Sequence, residues 1–199
     1  HIAAARARWK NKGFHGQHYW IECAKLEVLL YEGRFAEVQP HIEAEWVHLT
    51  LTQMTPYHEF ARIAMLHRLG RAKLVSALRA TSGRRAALRA VDAICTKLSK
   101  EDAAWARALS LHLRAGRLVL SLGPCSQTRE AITSALSSLT DVGLWPHAAS
   151  LRDCAFRIGM TDLVTPSAHQ ELLAALRERG VLAPHRLLQM TLPIFPQTP

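Results

Sequence analysis

Eleven histidines and four cysteines are the residues of this chain best suited to chemistry, and most of them are dispersed. His15 and His18 are the exception. They sit three residues apart, with Glu22 a further turn on, inside "GFHGQHYWIECAKLEVLLYEGRFAEV". On a helix these three share a face, and two imidazoles with a carboxylate are a donor set that zinc accepts. The fuller spacing of a metalloprotease and a fourth ligand are missing, so packing and capping at the start of a hairpin is the simpler role. A metal-dependent enzyme centred on His15 and His18 stands as one alternative. The other histidines, among them His41, His48, His58, His67 and His112, read as spacers on half-buried helical faces.

Cys23, Cys95, Cys125 and Cys154 form no CxxC pair and no short ligand spacing, which argues against a disulfide framework or a zinc ribbon. A reduced, cytoplasmic setting is expected. As nucleophiles, Cys23 and Cys154 would need a base and an orienting group, and no local pattern supplies either, so both read as small buried hydrophobes. Trp20, Trp46, Trp105 and Trp145 fall at helical spacing and read first as core between hairpins. There is no Gly-rich phosphate loop, no His-Arg-Asp catalytic loop, no Asp-Phe-Gly and no Walker motif. The chain is expected to be non-catalytic and to need no cofactor.

Lys and Arg number 25 against 16 Asp and Glu, a formal charge of +9, and 19 of the 25 are Arg. A second alternative is therefore a basic nucleic-acid-binding protein, which requires Arg34, Arg71, Arg84, Arg85 and Arg89 to converge on one surface. The densest clusters, Arg84-Arg85 and Arg177 with Arg179, are short, so nucleic acid is not the expected partner. No apolar run approaches the roughly 18 residues of a membrane span, and no secretory signal pattern opens the chain.

These residues must be positioned by helices. Period 3.6 recurs along the chain, with neither sustained alternation nor an Asn-Gly or Asp-Gly hairpin, so the fold class is all-α. Phe35, Val38, Ile42, Trp46 and Leu49 make one stripe, and Gly33 joins that helix to the apolar segment before it. Residues 17–50 thus form a hairpin. A second spans 57–99, with a stripe around Phe60, Ala64 and Val75 and a break at Ser82-Gly83. A third spans 101–141, where Glu101 and Asp102 are expected in an acidic first turn, Gly123-Pro124 is the stop and Ser126 or Thr128 the next cap. Helices from 145 to 192 complete a single domain, 1–199, with Thr165-Pro166 as cap and first helical residue of one of them. The turn glycines Gly33, Gly83 and Gly123 are 50 and 40 residues apart, short of a strict 34-residue tetratricopeptide period. Gly33, Phe35 and Val38 nonetheless match that repeat's turn, which predicts a degenerate tetratricopeptide-like array of antiparallel hairpins.

"GFHGQHY", then "LLYEGRFAEVQPHIEAEW", a long helix containing "MLHRLGRAKLVSAL" and the closing "ERGVLAPHRLLQMTLPIF" resemble the C-terminal helical-repeat region of large bacterial serine/threonine protein kinases, those of myxobacteria especially. The opening "HIAAARARW" falls inside a helical pattern, as expected of a segment of a longer chain. The resemblance implies a protein-interaction or regulatory region lying behind a kinase domain. The expected partner is a protein or peptide, and the Arg content favours acidic or phosphorylated segments.

Overall fold

The computed structural model describes residues 4, 16–51 and 59–196, with side chains described for all of these except 16 and 44–51. Of the described residues, 80% are helical. Nine helices follow one another among the described residues: α1 (Gly16–Glu32), α2 (Phe35–Leu51), α3 (Glu59–Arg79), α4 (Arg84–Ser99), α5 (Ala104–Leu122), α6 (Ser126–Asp141), α7 (Trp145–Arg157), α8 (Pro166–Glu178) and α9 (Pro184–Thr191). No strand occurs among them, and none of these helices is long and apolar enough to cross a membrane.

The turns explain why so many short helices form. Gly33 adopts φ 68°, and the two amides that follow α1 fold back, Arg34 N donating to Leu29 O at 2.9 Å and Gly33 N to Leu30 O at 3.3 Å. This six-to-one bond over a left-handed glycine is the Schellman ending, which satisfies carbonyls that the helix leaves orphaned. The same pair of bonds closes α6 at Gly143, α7 at Gly159 and α8 at Gly180. Gly83 and Gly123 belong to other devices, the first before α4 and the second after α5. Thr165 caps α8 by accepting from Ala168 N at 3.2 Å, with Pro166 first in the helix, as the sequence predicts.

Two expected starts differ. Helix α5 begins at Ala104, so Glu101 and Asp102 lie before it rather than in its first turn. Glu101 instead takes two hydrogen bonds from Arg62 on α3, at 2.8 and 2.5 Å, which tie the second hairpin to the third. The residue flanking α6 is Cys125, and neither Ser126 nor Thr128 caps it; the Thr128 hydroxyl donates back to Gly123 O at 2.8 Å.

Neighbouring helices pack in chain order: α1 on α2, α2 on α3, α3 on α4, α4 on α5, α5 on α6, α6 on α7 and α7 on α8, and α5 also touches α3. Two cores result. Tyr19, Leu26, Leu30, Phe35, Val38 and Val75 gather the first three helices. Leu74, Leu98, Leu113, Ile132, Leu139 and Leu151 run through α3 to α7. The tryptophans are not the core that their spacing suggests: Trp20 is 48% and Trp145 46% exposed, Trp105 is half-buried, and Phe60 is 61% exposed. Leu and Ala fill the interior because they pack helices closely at little rotamer cost. The side chain of Trp46 lies outside the described residues.

Helix α9 breaks the chain-order pattern by packing on both α7 and α1. The residues after it, Leu192 and Ile194, are buried against α5. Gly116 makes the room, since a Cβ there would lie 2.8 Å from Leu192 Cδ1 and 3.4 Å from Ile194 Cγ2. Residues 184–195 are therefore a strap across the helices that open the hairpins.

Candidate functional site

Under that strap lies a cavity of about 730 Å³, bordered by α1, α3, α5, α7 and α9. Its polar wall is built around Glu27. Arg71 donates to both Glu27 oxygens, at 2.9 and 2.5 Å, and Arg68 Nε donates to one of them at 2.9 Å. Arg71 also donates to Met190 O at 3.0 Å, which fastens the strap. Burial alone would raise the Glu27 carboxyl, but the charges and hydrogen bonds of Arg71 and then Arg68 outweigh it and hold the group below the usual carboxylate range. Two guanidiniums share one carboxylate, so the wall keeps one positive charge.

Behind it stand three histidines, one from each of α3, α5 and α7. The rings of His67, His112 and His147 lie 5.0 to 5.4 Å apart, centre to centre. A hydrogen-bond chain fixes the protons of His67 and His112. Ser150 Oγ donates to His147 O at 2.8 Å, so at 3.0 Å it accepts from His112 Nε2. His112 Nδ1 is then an acceptor, and His67 Nε2 donates to it at 3.3 Å. Burial first, then the neighbouring histidine and Arg71, push His67 and His112 well below the ordinary imidazole range. His147 falls to about 4 through burial and then Arg71. All three are neutral at pH 7. The lone pair of His112 is already engaged, and no group of three His, Cys, Asp or Glu among the described residues is arranged to hold a metal ion.

The opposite edge is aromatic. Trp20 on α1, Phe60 on α3 and Trp105 on α5 stand in a row, with ring centres 6.2 Å apart for the first pair and 5.7 Å for the second. Each comes from the first helix of its hairpin, near that helix's N-terminal end. Trp145 on α7 is also exposed, with the Arg179 guanidinium 4.9 Å over its ring. An exposed aromatic row beside a cavity of ligand-binding size is a feature that monomeric surfaces seldom carry without use.

The residues singled out from sequence are dispersed. His15 lies outside the described residues, and His18 is half-buried on α1. Arg71 is 4% exposed, inside the cavity wall. Arg34 lies at the α1–α2 turn, bonded to Glu37 at 2.7 and 2.6 Å and to Glu32 at 3.0 Å. Arg84, Arg85 and Arg89 are exposed on α4, and the Arg84 guanidinium reaches Leu120 O. Arg71 therefore shares no surface with the others, and the five do not form one face. Cys23 and Cys154 are buried, and burial raises both thiols, Cys154 to about 12. Cys125 alone is lowered, by the hydrogen bonds of Thr128 at the start of α6.

Sequence reasoning missed the aromatic edge because it assigned Trp20, Phe60 and Trp105 to the core. A signal was present: each stands near the beginning of its hairpin. Comparison of the chain with protein-family models, curated proteins and solved structures returns no match.

Proposed function

We propose that this chain is a non-catalytic protein-interaction region, a degenerate tetratricopeptide-like array of antiparallel helical hairpins from a bacterial signalling serine/threonine protein kinase. The observation that carries the interaction reading is the Trp20–Phe60–Trp105 row, with Trp20 and Phe60 exposed and Phe60 and Trp105 lining the cavity. The kinase context rests on the sequence resemblance. Because the strap already covers part of the inner helices, the partner lies along the aromatic edge rather than in an open concave groove. The occupant is an extended peptide segment of a partner protein that pairs an aromatic or branched apolar side chain with an acidic one. The rings take the first, and the positive charge left over by Arg68, Arg71 and Glu27 takes the second. The nucleic-acid alternative loses its footing with Arg71 buried on Glu27.

Panning a randomised peptide library on the purified chain tests the reading. Selected peptides should carry Phe, Trp or Leu beside Asp or Glu, and binding should vanish with Phe60→Ala plus Trp105→Ala while surviving Trp145→Ala. Absence of any consensus, or binding that survives the double variant, overturns it.

A further inference from the structure

Helix α5 has a second functional face. At 100° per residue, Trp105, Leu109, His112 and Gly116 share the side turned to the inner cavity, whereas Arg107, Leu111, Arg114 and Leu118 lie on the opposite side. That outer side floors a cleft of about 510 Å³ between α4 and α6. A smaller cavity of about 290 Å³ continues it past Arg114. Three arginines of α5 line the main cleft: Arg107, Arg114 and Arg117. Gln127 of α6 adds an amide donor, whereas the Thr96 and Ser99 hydroxyls donate back to α4, to Asp92 O and Thr96 O at 3.0 Å each.

The charges do not cancel. Among the described residues Asp92 is the one carboxylate lining the main cleft, and it is taken by Arg117, whose Nη2 and Nε lie at 3.1 Å from its two oxygens. Arg107 donates, among the described residues, only to the neutral Asp102 carbonyl, at 2.9 Å. Arg114 is exposed and has no ion-pair partner among the described residues. Glu130 borders the smaller cavity without pairing to it. Two guanidiniums in one cleft thus lack a counter-charge, a different state from Arg71 and Arg34, each of which is bonded to a carboxylate.

We propose that the α4–α6 cleft is a binding site for the phosphate of a phosphorylated peptide segment, held by Arg114 and Arg107. A phosphomonoester carries about −1.5 to −2 charge at neutral pH, which matches the two unpaired guanidiniums, whereas a single carboxylate leaves one of them over. Leu111 and Leu118 on the cleft floor give the flanking residues of the peptide an apolar ledge. The cleft is short and bounded, and Glu130 repels a run of phosphates continuing into the smaller cavity, which disfavours a nucleic-acid strand. The proposal rests on reading the chain as an interaction region, but not on the aromatic edge.

The test uses the whole chain and a peptide library with a fixed central phosphoserine, beside the same library with serine. The phosphorylated library should be retained at least tenfold better, inorganic phosphate should compete at millimolar concentration, and Arg114→Gln should abolish the difference while Arg85→Gln leaves it intact. Equal retention of both libraries overturns the proposal, as does a preference that survives Arg114→Gln or a single-stranded oligonucleotide that displaces the phosphopeptides at equal concentration. Loss here with aromatic-edge binding intact removes this site alone. Loss of binding with Phe60→Ala and Trp105→Ala while phosphopeptides are still retained leaves it standing.

Discussion

The two faces of α5 use the same residue type in opposite ways. On the inner side, the Arg71 of neighbouring α3 is buried, donates through its two terminal nitrogens to Glu27 and the strap, and stands next to three neutral histidines. On the outer side, Arg114 is exposed and unpaired, and Arg107 holds only a backbone carbonyl. An arginine bonded to a buried carboxylate is part of the fold's stability, and one without a carboxylate in a cleft is available to a ligand. Net charge says nothing about this division, because both kinds add equally to the +9.

The comparison breaks first in acid. An unfolded imidazole titrates near 6.5, whereas those of His67 and His112 titrate well below that and that of His147 at about 4. The unfolded chain therefore binds more protons between these values. Stability is complete above about pH 6.5 and is lost as pH falls toward 4. More than one histidine takes part, so the free energy of unfolding should fall by more than about 1.4 kcal/mol per pH unit below pH 6, a loss of several kcal/mol in all. Urea titrations at pH 7, 6 and 5 check this, and a flat profile across that range would show the cluster to be hydrated and open.

Next comes the buried ion pair. Arg71→Leu leaves Glu27 with Arg68 alone and frees Met190 O, and removing one partner of a buried pair costs about 3 to 5 kcal/mol. The chemical-denaturation midpoint of this variant against wild type reads the loss. A cost below about 1 kcal/mol would place Arg71 with the surface arginines. Gly116→Val probes the strap on the same side: overpacking against Leu192 and Ile194 should cost about 1 to 3 kcal/mol and expose the chain after α9 to limited proteolysis.

Much of this architecture is legible in the sequence. Period 3.6 locates the helices, Gly33 ends α1 as its position predicts, and Thr165-Pro166 starts α8. The strap is not legible, because the closing segment meets α1 and α5 across more than seventy residues of sequence and no local pattern reports such contacts. The histidine cluster is hidden for the same reason, since His67, His112 and His147 belong to three helices and are brought together only by packing. The aromatic edge was misassigned on a one-dimensional rule: large apolar residues at helical spacing usually face a core, but a helix at the surface of an array has a second flank open to solvent. The outer cleft was readable in part, as Arg107, Arg114 and Arg117 fall at i, i+7 and i+10, a single helical face. That face is not basic along the whole chain, so a search for clusters of adjacent arginines passes over it.

The smallest expected effect is the most discriminating. Arg114→Gln removes an exposed, unpaired guanidinium and keeps a polar side chain on a well-formed helix, so its stability should stay within about 0.5 kcal/mol of wild type. The two unpaired cations of the cleft repel each other, and removing one relieves that repulsion, which pushes the small change toward stabilisation at low salt and toward zero as salt screens it. Melts of Arg114→Gln and wild type at 20 mM and 500 mM salt should therefore cross or converge, in contrast to Arg71→Leu, whose deficit persists at both. If Arg114→Gln is destabilised by 2 kcal/mol or more, Arg114 is held by a carboxylate and the outer cleft is a structural ion-pair site like the inner one.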